Sequence, residues 1–118
     1  QVNLAANSID NAQVARMSAE DFSLALAGEK AGRRVAEMDL DNHDFRTVLV
    51  DPPRAGLDAD SCEQTARYER IVYISCNPQT LIDNLEVLCR THRIERFALF
   101  DQFPYTDHLE CGVYLVRR

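Results

Sequence analysis

The sequence predicts an α/β domain on a mostly parallel sheet, and three observations carry that expectation. Two short runs rich in β-branched residues, Thr47–Val50 (TVLV) and residues 71–75 (IVYIS), have the composition of strands buried on both faces, and each stops at a proline-containing loop. Helical spacing occupies the stretches between and after them, so strand and helix alternate. The chain closes with two more strand-like runs, residues 94–100 and 112–116, whose aromatic and polar connection (101–111) suggests an antiparallel pair.

In chain order, residues 1–9 carry Val2, Ala5, Ala6 and Ile9 on one side of a helix with no N-cap before it. Residues 14–17 form a short strand candidate. Ser18 then offers an N-cap, with Asp21 at the third helical position and Phe22, Ala25 and Leu26 as the apolar face, and this helix should fade near Gly28 and Gly32. Residues 29–44 are polar, mixed in charge and without period, as a surface connection would be. Residues 58–67 fit a short helix between the two buried strands. The strongest helical signal follows: Asn77 as N-cap, Pro78 at the first position, and Leu81, Leu85 and Leu88 at core spacing up to Thr91.

At 118 residues the chain is one domain's worth of polypeptide, able to bury a core without disulfides, and 46% hydrophobic with 27% charged residues is the balance of a globular protein. No apolar run is long enough for a membrane span and the first residues lack a signal peptide's pattern, so the cytoplasm is the expected compartment. Four cysteines, Cys62, Cys76, Cys89 and Cys111, lie 14, 13 and 22 positions apart, without the close pairs of zinc sites, and read as thiols; no metal is expected. A net charge of −6 argues against this segment alone binding nucleic acid strongly.

Right-handed crossovers place the loops after successive parallel strands along one edge, and ligands of such sheets bind there. The two most unusual loops, Asp51-Pro52-Pro53-Arg54 and Ser75-Cys76-Asn77-Pro78, both fall on that edge. Cys76, between a strand end and a helix start, sits where unpaired N–H groups favour a thiolate, though a small buried packing residue would also suit the position. The other three cysteines lack that setting. Asp51 could accept hydrogen bonds from a ligand or simply form the turn, and Arg54 could meet a phosphate, a base carbonyl or a surface carboxylate. Glu110, at the mouth of the terminal strand pair, is either solvated or, if partly buried beside a nucleophile, a general base; His108 is an equal candidate on chemistry alone. His43 and His92 lie in polar stretches and read as surface residues.

Three segments together, Val50-Asp51-Pro52-Pro53-Arg54-Ala55-Gly56-Leu57, Tyr73-Ile74-Ser75-Cys76-Asn77-Pro78, and Phe100-Asp101-Gln102-Phe103-Pro104-Tyr105-Thr106 running into His108-Leu109-Glu110-Cys111, resemble the carboxyl-terminal half of the S-adenosylmethionine-dependent RNA uracil-5-methyltransferases. The last segment is most similar to the tRNA branch, which forms ribothymidine in the T-loop, rather than to the ribosomal-RNA branch. The resemblance implies a partial Rossmann-like class I methyltransferase sheet, S-adenosyl-L-methionine as cofactor and tRNA as partner. It further implies Cys76 as nucleophile, Glu110 as the base that removes the C5 proton and Asp51 as a cofactor contact, with Pro52, Arg54 and Asn77 lining the substrate pocket. The basic groups an acidic chain lacks would then come from additional amino-terminal domains. A ribosomal-RNA uracil-5-methyltransferase, with the same chemistry on another RNA, is the nearer alternative, and a noncatalytic α/β binding module, with Cys76 merely structural, is the alternative of a different class.

The family's glycine-rich cofactor turn is not in these 118 residues, whose Gly28, Gly32, Gly56 and Gly112 are isolated. Against the family's sheet order 3-2-1-4-5-7-6, the chain would supply strands 3, 4, 5, 6 and 7, as a carboxyl-terminal fragment without the first two strands. Thr47–Val50 should then leave an unpaired edge, covered by residues 14–17 or by a second chain, and the fragment by itself should neither bind cofactor tightly nor methylate RNA.

Overall fold

The computed structural model describes residues 2–29, 38 and 40–118, and the chain divides into two compact units, Gln1–Asp44 and Phe45–Arg118. In the first unit, α1 (Val2–Ala6) buries none of its residues. Helix α2 (Ala19–Leu26) begins as its cap predicts: the Ser18 hydroxyl accepts the Asp21 N–H at 3.0 Å. It ends at Ala27, where Gly28 takes the left-handed φ of +73° that stops a helix. A 3-10 turn spans Leu40–Asn42. The expected fading at Gly32 lies outside the described residues, as does most of the connection read over 29–44. Residues 14–17 are not a strand. A lone β-branched residue, Val14, which is 57% exposed, gives the segment little to bury, and a strand without a hydrogen-bonded neighbour has no ladder to hold it.

The second unit contains β1 (Thr47–Val50), α3 (Ala59–Thr65), β2 (Arg70–Ser75), α4 (Pro78–Leu88), β3 (His92–Phe100) and β4 (Glu110–Arg117), and its four strands lie in the order β1-β2-β4-β3. Strands β1 and β2 are parallel and joined through α3; β4 inserts between β2 and β3, antiparallel to both. The sheet is therefore mixed, with its parallel part confined to β1 and β2. The order corresponds to the 4-5-7-6 segment of the arrangement expected from the sequence. Strand 3 of that expectation, residues 14–17, is not in this sheet.

Register explains the core. Val48 pairs with Ile71, Val50 with Tyr73, Ile71 with Leu115 and Tyr73 with Val113, so these side chains project to one face. That face packs against Leu81 and Leu88 of α4, with Leu85 alongside, which is the leucine spacing the sequence displays. Leu49, of opposite parity, is 66% exposed; the short β1 is thus not buried on both faces. Its position at the sheet end, where one partner rather than two adjoins it, accounts for the difference.

His92 also departs from expectation. It is fully buried, its Nε2 2.8 Å from the Tyr68 carbonyl oxygen and its Nδ1 2.8 Å from the Thr91 hydroxyl. Facing a carbonyl, Nε2 carries the proton, and Nδ1 accepts from Thr91. Polar neighbours in sequence hid a residue that plugs the sheet end opposite the Cys76 loop. His43 is exposed. All four cysteines are free; Cys62 and Cys111 are buried, and burial pushes both thiols up, as suits packing residues. Among the described residues, no helix is long and apolar enough to cross a membrane.

Candidate active site

Strand β2 ends in a turn bracketed by one side chain. The Ser75 hydroxyl, nearly inaccessible, donates to the Asn77 carbonyl at 3.0 Å and accepts the Asn77 N–H at 3.1 Å, fixing the backbone on both sides of Cys76. Asn77 then caps α4, its Oδ1 accepting from the Gln79 N–H at 3.2 Å, with Pro78 opening the helix. Cys76 is half-buried directly ahead of that cap. The setting expected from sequence, a strand end feeding a helix start, is present.

Glu110 reaches the same place from far along the chain. The β2–β4 ladder runs from Arg70 opposite Val116 to Ser75 opposite Cys111. Beyond that last rung, Cys76 follows Ser75 and Glu110, the first residue of β4, precedes Cys111, so both lie at the same rim of the sheet. Glu110 is half-buried and is held on its other side by pairing with Phe100 of β3. His108, the other candidate base, belongs to the loop before β4. It is exposed, its N–H donates to the Thr106 hydroxyl at 3.2 Å, and its ring meets Phe103 edge-on at 6.2 Å.

The loop after β1 forms the second part of the site. Asp51 and Arg54 are exposed and Pro52 is half-buried. The loop is attached to α4 by its backbone. The Arg54 carbonyl accepts from Asn77 Nδ2 at 2.9 Å and from the Thr80 hydroxyl at 3.1 Å. Both ends of the Asn77 carboxamide are thereby used within the chain, as helix cap and as tie, which gives it a structural task beside the pocket-lining one read from sequence.

The sequence reading missed three contributors: Tyr73, Thr80 and Asn84. Asn84 lies among Leu81, Leu85 and Leu88 on the core-facing side of α4 and is 9% exposed. An amide set into a leucine stripe was the available signal, because a buried amide must find partners.

For a cofactor carrying hydrogen-bond donors, one acceptor at the carboxyl edge of the sheet is the exposed Asp51 carboxylate, one residue past β1. It fits such a contact by charge and position. Among the described residues, no group of three His, Cys, Asp or Glu side chains could hold a metal ion.

Known proteins resemble the chain along its whole length. A family model described as tRNA (Uracil-5-)-methyltransferase matches residues 1–118. A tRNA/tmRNA (uracil-C(5))-methyltransferase from Chromohalobacter salexigens is 74% identical over 117 residues, 99% of this chain and 31% of that protein. One of the same description from Shewanella loihica is 62% identical over 118 residues, covering 100% of this chain and 32% of the relative. Among solved structures, the Pyrococcus abyssi tRNA (uracil-54, C5)-methyltransferase in complex with S-adenosyl-L-homocysteine superposes with a TM-score of 0.56 at 40% identity, over 64% of this chain and 19% of that one. The chain spans about a third of the length of the curated relatives it matches.

Proposed function

The chain belongs to the tRNA (uracil-5-)-methyltransferase family, and on that basis we propose that it is the carboxyl-terminal part of a methyltransferase domain that methylates C5 of a T-loop uridine in tRNA, using S-adenosyl-L-methionine. The observation that best supports this reading is the β2–β4 register, whose last rung, Ser75 opposite Cys111, leaves the neighbouring Cys76 and Glu110 at one rim across 34 positions of sequence. A nucleophile and a base at one rim are what this chemistry requires.

Uracil C5 is a poor nucleophile. The Cys76 thiolate adds to C6, forming an S–C6 bond and moving the C5=C6 π electrons into an enolate, which makes C5 reactive. S-adenosyl-L-methionine, when bound, would supply an electrophilic methyl group for that carbon, its S–CH3 bond breaking to leave S-adenosyl-L-homocysteine. Glu110 then takes the C5 proton, the C5–H electron pair restores C5=C6, and the S–C6 bond breaks to return the thiolate. Glu110 ends protonated and passes its proton to solvent. Asp51 accepts a hydrogen bond from the cofactor. Arg54 and Pro52 border the pocket for a base turned out of its stack. The acidic charge of these residues leaves most phosphate contacts to other parts of the full-length protein.

The test uses the full-length enzyme and tRNA containing 5-fluorouridine, whose C5 fluorine cannot leave as a proton does. A covalent protein–RNA adduct that disappears in Cys76→Ala supports the reading. An adduct that forms equally well without the thiol refutes it, as does the absence of any adduct.

A further inference from the structure

The two motif loops are parts of one hydrogen-bonded unit, and Asn84 is its centre. The Asn84 carboxamide meets the backbone of Leu57 as a neighbouring strand would. Oδ1 accepts the Leu57 N–H at 2.9 Å while Nδ2 donates to the Leu57 carbonyl at 2.9 Å. The same Oδ1 also accepts the Tyr73 hydroxyl at 2.7 Å, and Tyr73 is fully buried in β2. Three bonds from one side chain thus join the loop after β1, the strand that leads to Cys76, and the helix that follows it.

Helix α4 holds that loop at two points, with Thr80 and Asn84 one turn apart on one face. Asn77 and Thr80 grip the Arg54 carbonyl, and Asn84 grips Leu57. Between these points Gly56 adopts φ +77°, and a Cβ there would lie 2.7 Å from Asn84 Oδ1 and 3.1 Å from Thr80 Cβ. The backbone approaches the helix too closely for any side chain. Every one of these ties uses loop backbone atoms, which leaves the side chains of Asp51 and Arg54 available to ligands.

We infer that Asn84 is a positioning residue, fixing the Asp51–Leu57 loop in register with the Cys76 turn so that cofactor and uridine meet the thiol in a single geometry. This rests on the methyltransferase reading above. No other side chain of this size both accepts from the N–H and donates to the carbonyl of a single residue. Asp lacks the donor, Gln is a methylene too long, and Ser or Thr cannot span both atoms. A loop freed by even about 1 Å costs up to about a hundredfold in rate when reacting groups must be aligned.

The test measures adduct formation between full-length enzyme and 5-fluorouridine tRNA in the presence of cofactor, separating its rate from its final amplitude. Amplitude counts competent sites, which a merely structural role would lower; rate reports alignment within each site. Asn84→Ala is expected to slow adduct formation about tenfold or more per competent site. Thr80→Val, which removes one tie at a partly exposed helix position, should slow it several-fold and serves if Asn84→Ala does not fold. A wild-type rate in the folded Asn84→Ala enzyme, with amplitude either full or reduced, overturns the inference and leaves the methyltransferase reading standing. So does a wild-type rate in Thr80→Val when Asn84→Ala is unfolded. If the unaltered enzyme forms no adduct, the methyltransferase reading itself falls.

Discussion

Ser75 and Cys111 are partners in the last rung of the β2–β4 ladder, and each is followed, toward the same rim, by a residue with reactive chemistry. Beyond Ser75 comes Cys76; before Cys111 comes Glu110. The pairing depends on the antiparallel insertion of β4 beside β2, since a parallel neighbour would carry its corresponding residue away along the strand. Both rung residues are buried, Ser75 at 3% and Cys111 at 1% exposure, so the rim is anchored in the core rather than in a loop.

Division of labour across that rim has a distinct signature in variants of the full-length enzyme. Cys76→Ala should lose methyl transfer by about a thousandfold or more, because no S–C6 bond forms. Glu110→Gln should still add to uridine but release it slowly, lowering turnover by about 10²–10⁴-fold. A covalent adduct with ordinary tRNA should then accumulate and be visible by denaturing electrophoresis. If Glu110→Gln turns over at the parent rate, another group removes the proton.

Gly56→Ala should be among the most disruptive single-atom changes in the second unit. It places a Cβ at a left-handed φ and within 2.7 Å of Asn84 Oδ1, which cannot move without breaking its bonds to Leu57 and Tyr73. Left-handed strain and overpacking together predict a loss of about 2–4 kcal/mol, measured by urea unfolding. Gly28→Ala is the control. Its φ is also positive, +73°, but nothing lies within 4 Å of the added atom, so it should cost only the smaller, backbone part.

The elements most readily read from sequence were those with local causes. Ser18 and Asn77 accept from backbone N–H groups at their helix starts, and Leu81, Leu85 and Leu88 keep one face of α4 on the sheet. Cys76 and Glu110 were visible as chemistry attached to strand ends. What escaped was set by distant partners. His92 looked solvated because Arg90, Thr91 and Arg93 surround it, yet the Tyr68 carbonyl lies over it. Asn84 looked like a break in an apolar stripe, and only the loop 27 residues earlier explains it. Residues 14–17 had a strand's short apolar look, but no ladder.

Tyr73 gives stability a dependence on alkaline pH. Burial pushes its hydroxyl up from 10.0 to about 12, since a phenolate would lose its hydration in the core. The protonated form is therefore favoured in the folded chain. Its contribution is complete below about pH 10, where the unfolded phenol begins to ionise, and is lost as pH rises through about 12. Wild type should exceed Tyr73→Phe by about 1 kcal/mol near pH 8, the worth of the bond to Asn84. That gap should close between pH 10 and 12. A gap constant across this range would mean that the hydroxyl titrates alike in both states.

The outer edge of β1 predicts how the 118-residue chain behaves by itself. Strand β1 ends the sheet and no described strand pairs with its far side, while Leu49 on it is 66% exposed. Unpaired backbone groups beside an apolar side chain form a template for another strand. The isolated chain should therefore self-associate with rising concentration, giving a dimer or larger species in sedimentation velocity. Leu49→Lys should suppress this, because a charge on an edge strand has to be desolvated for a second edge to dock, and the exposed position tolerates the change in the monomer. A wild-type chain that stays monomeric at every concentration would show the edge to be protected by some other part of the polypeptide. Self-association that persists unchanged in Leu49→Lys would place the contact away from β1.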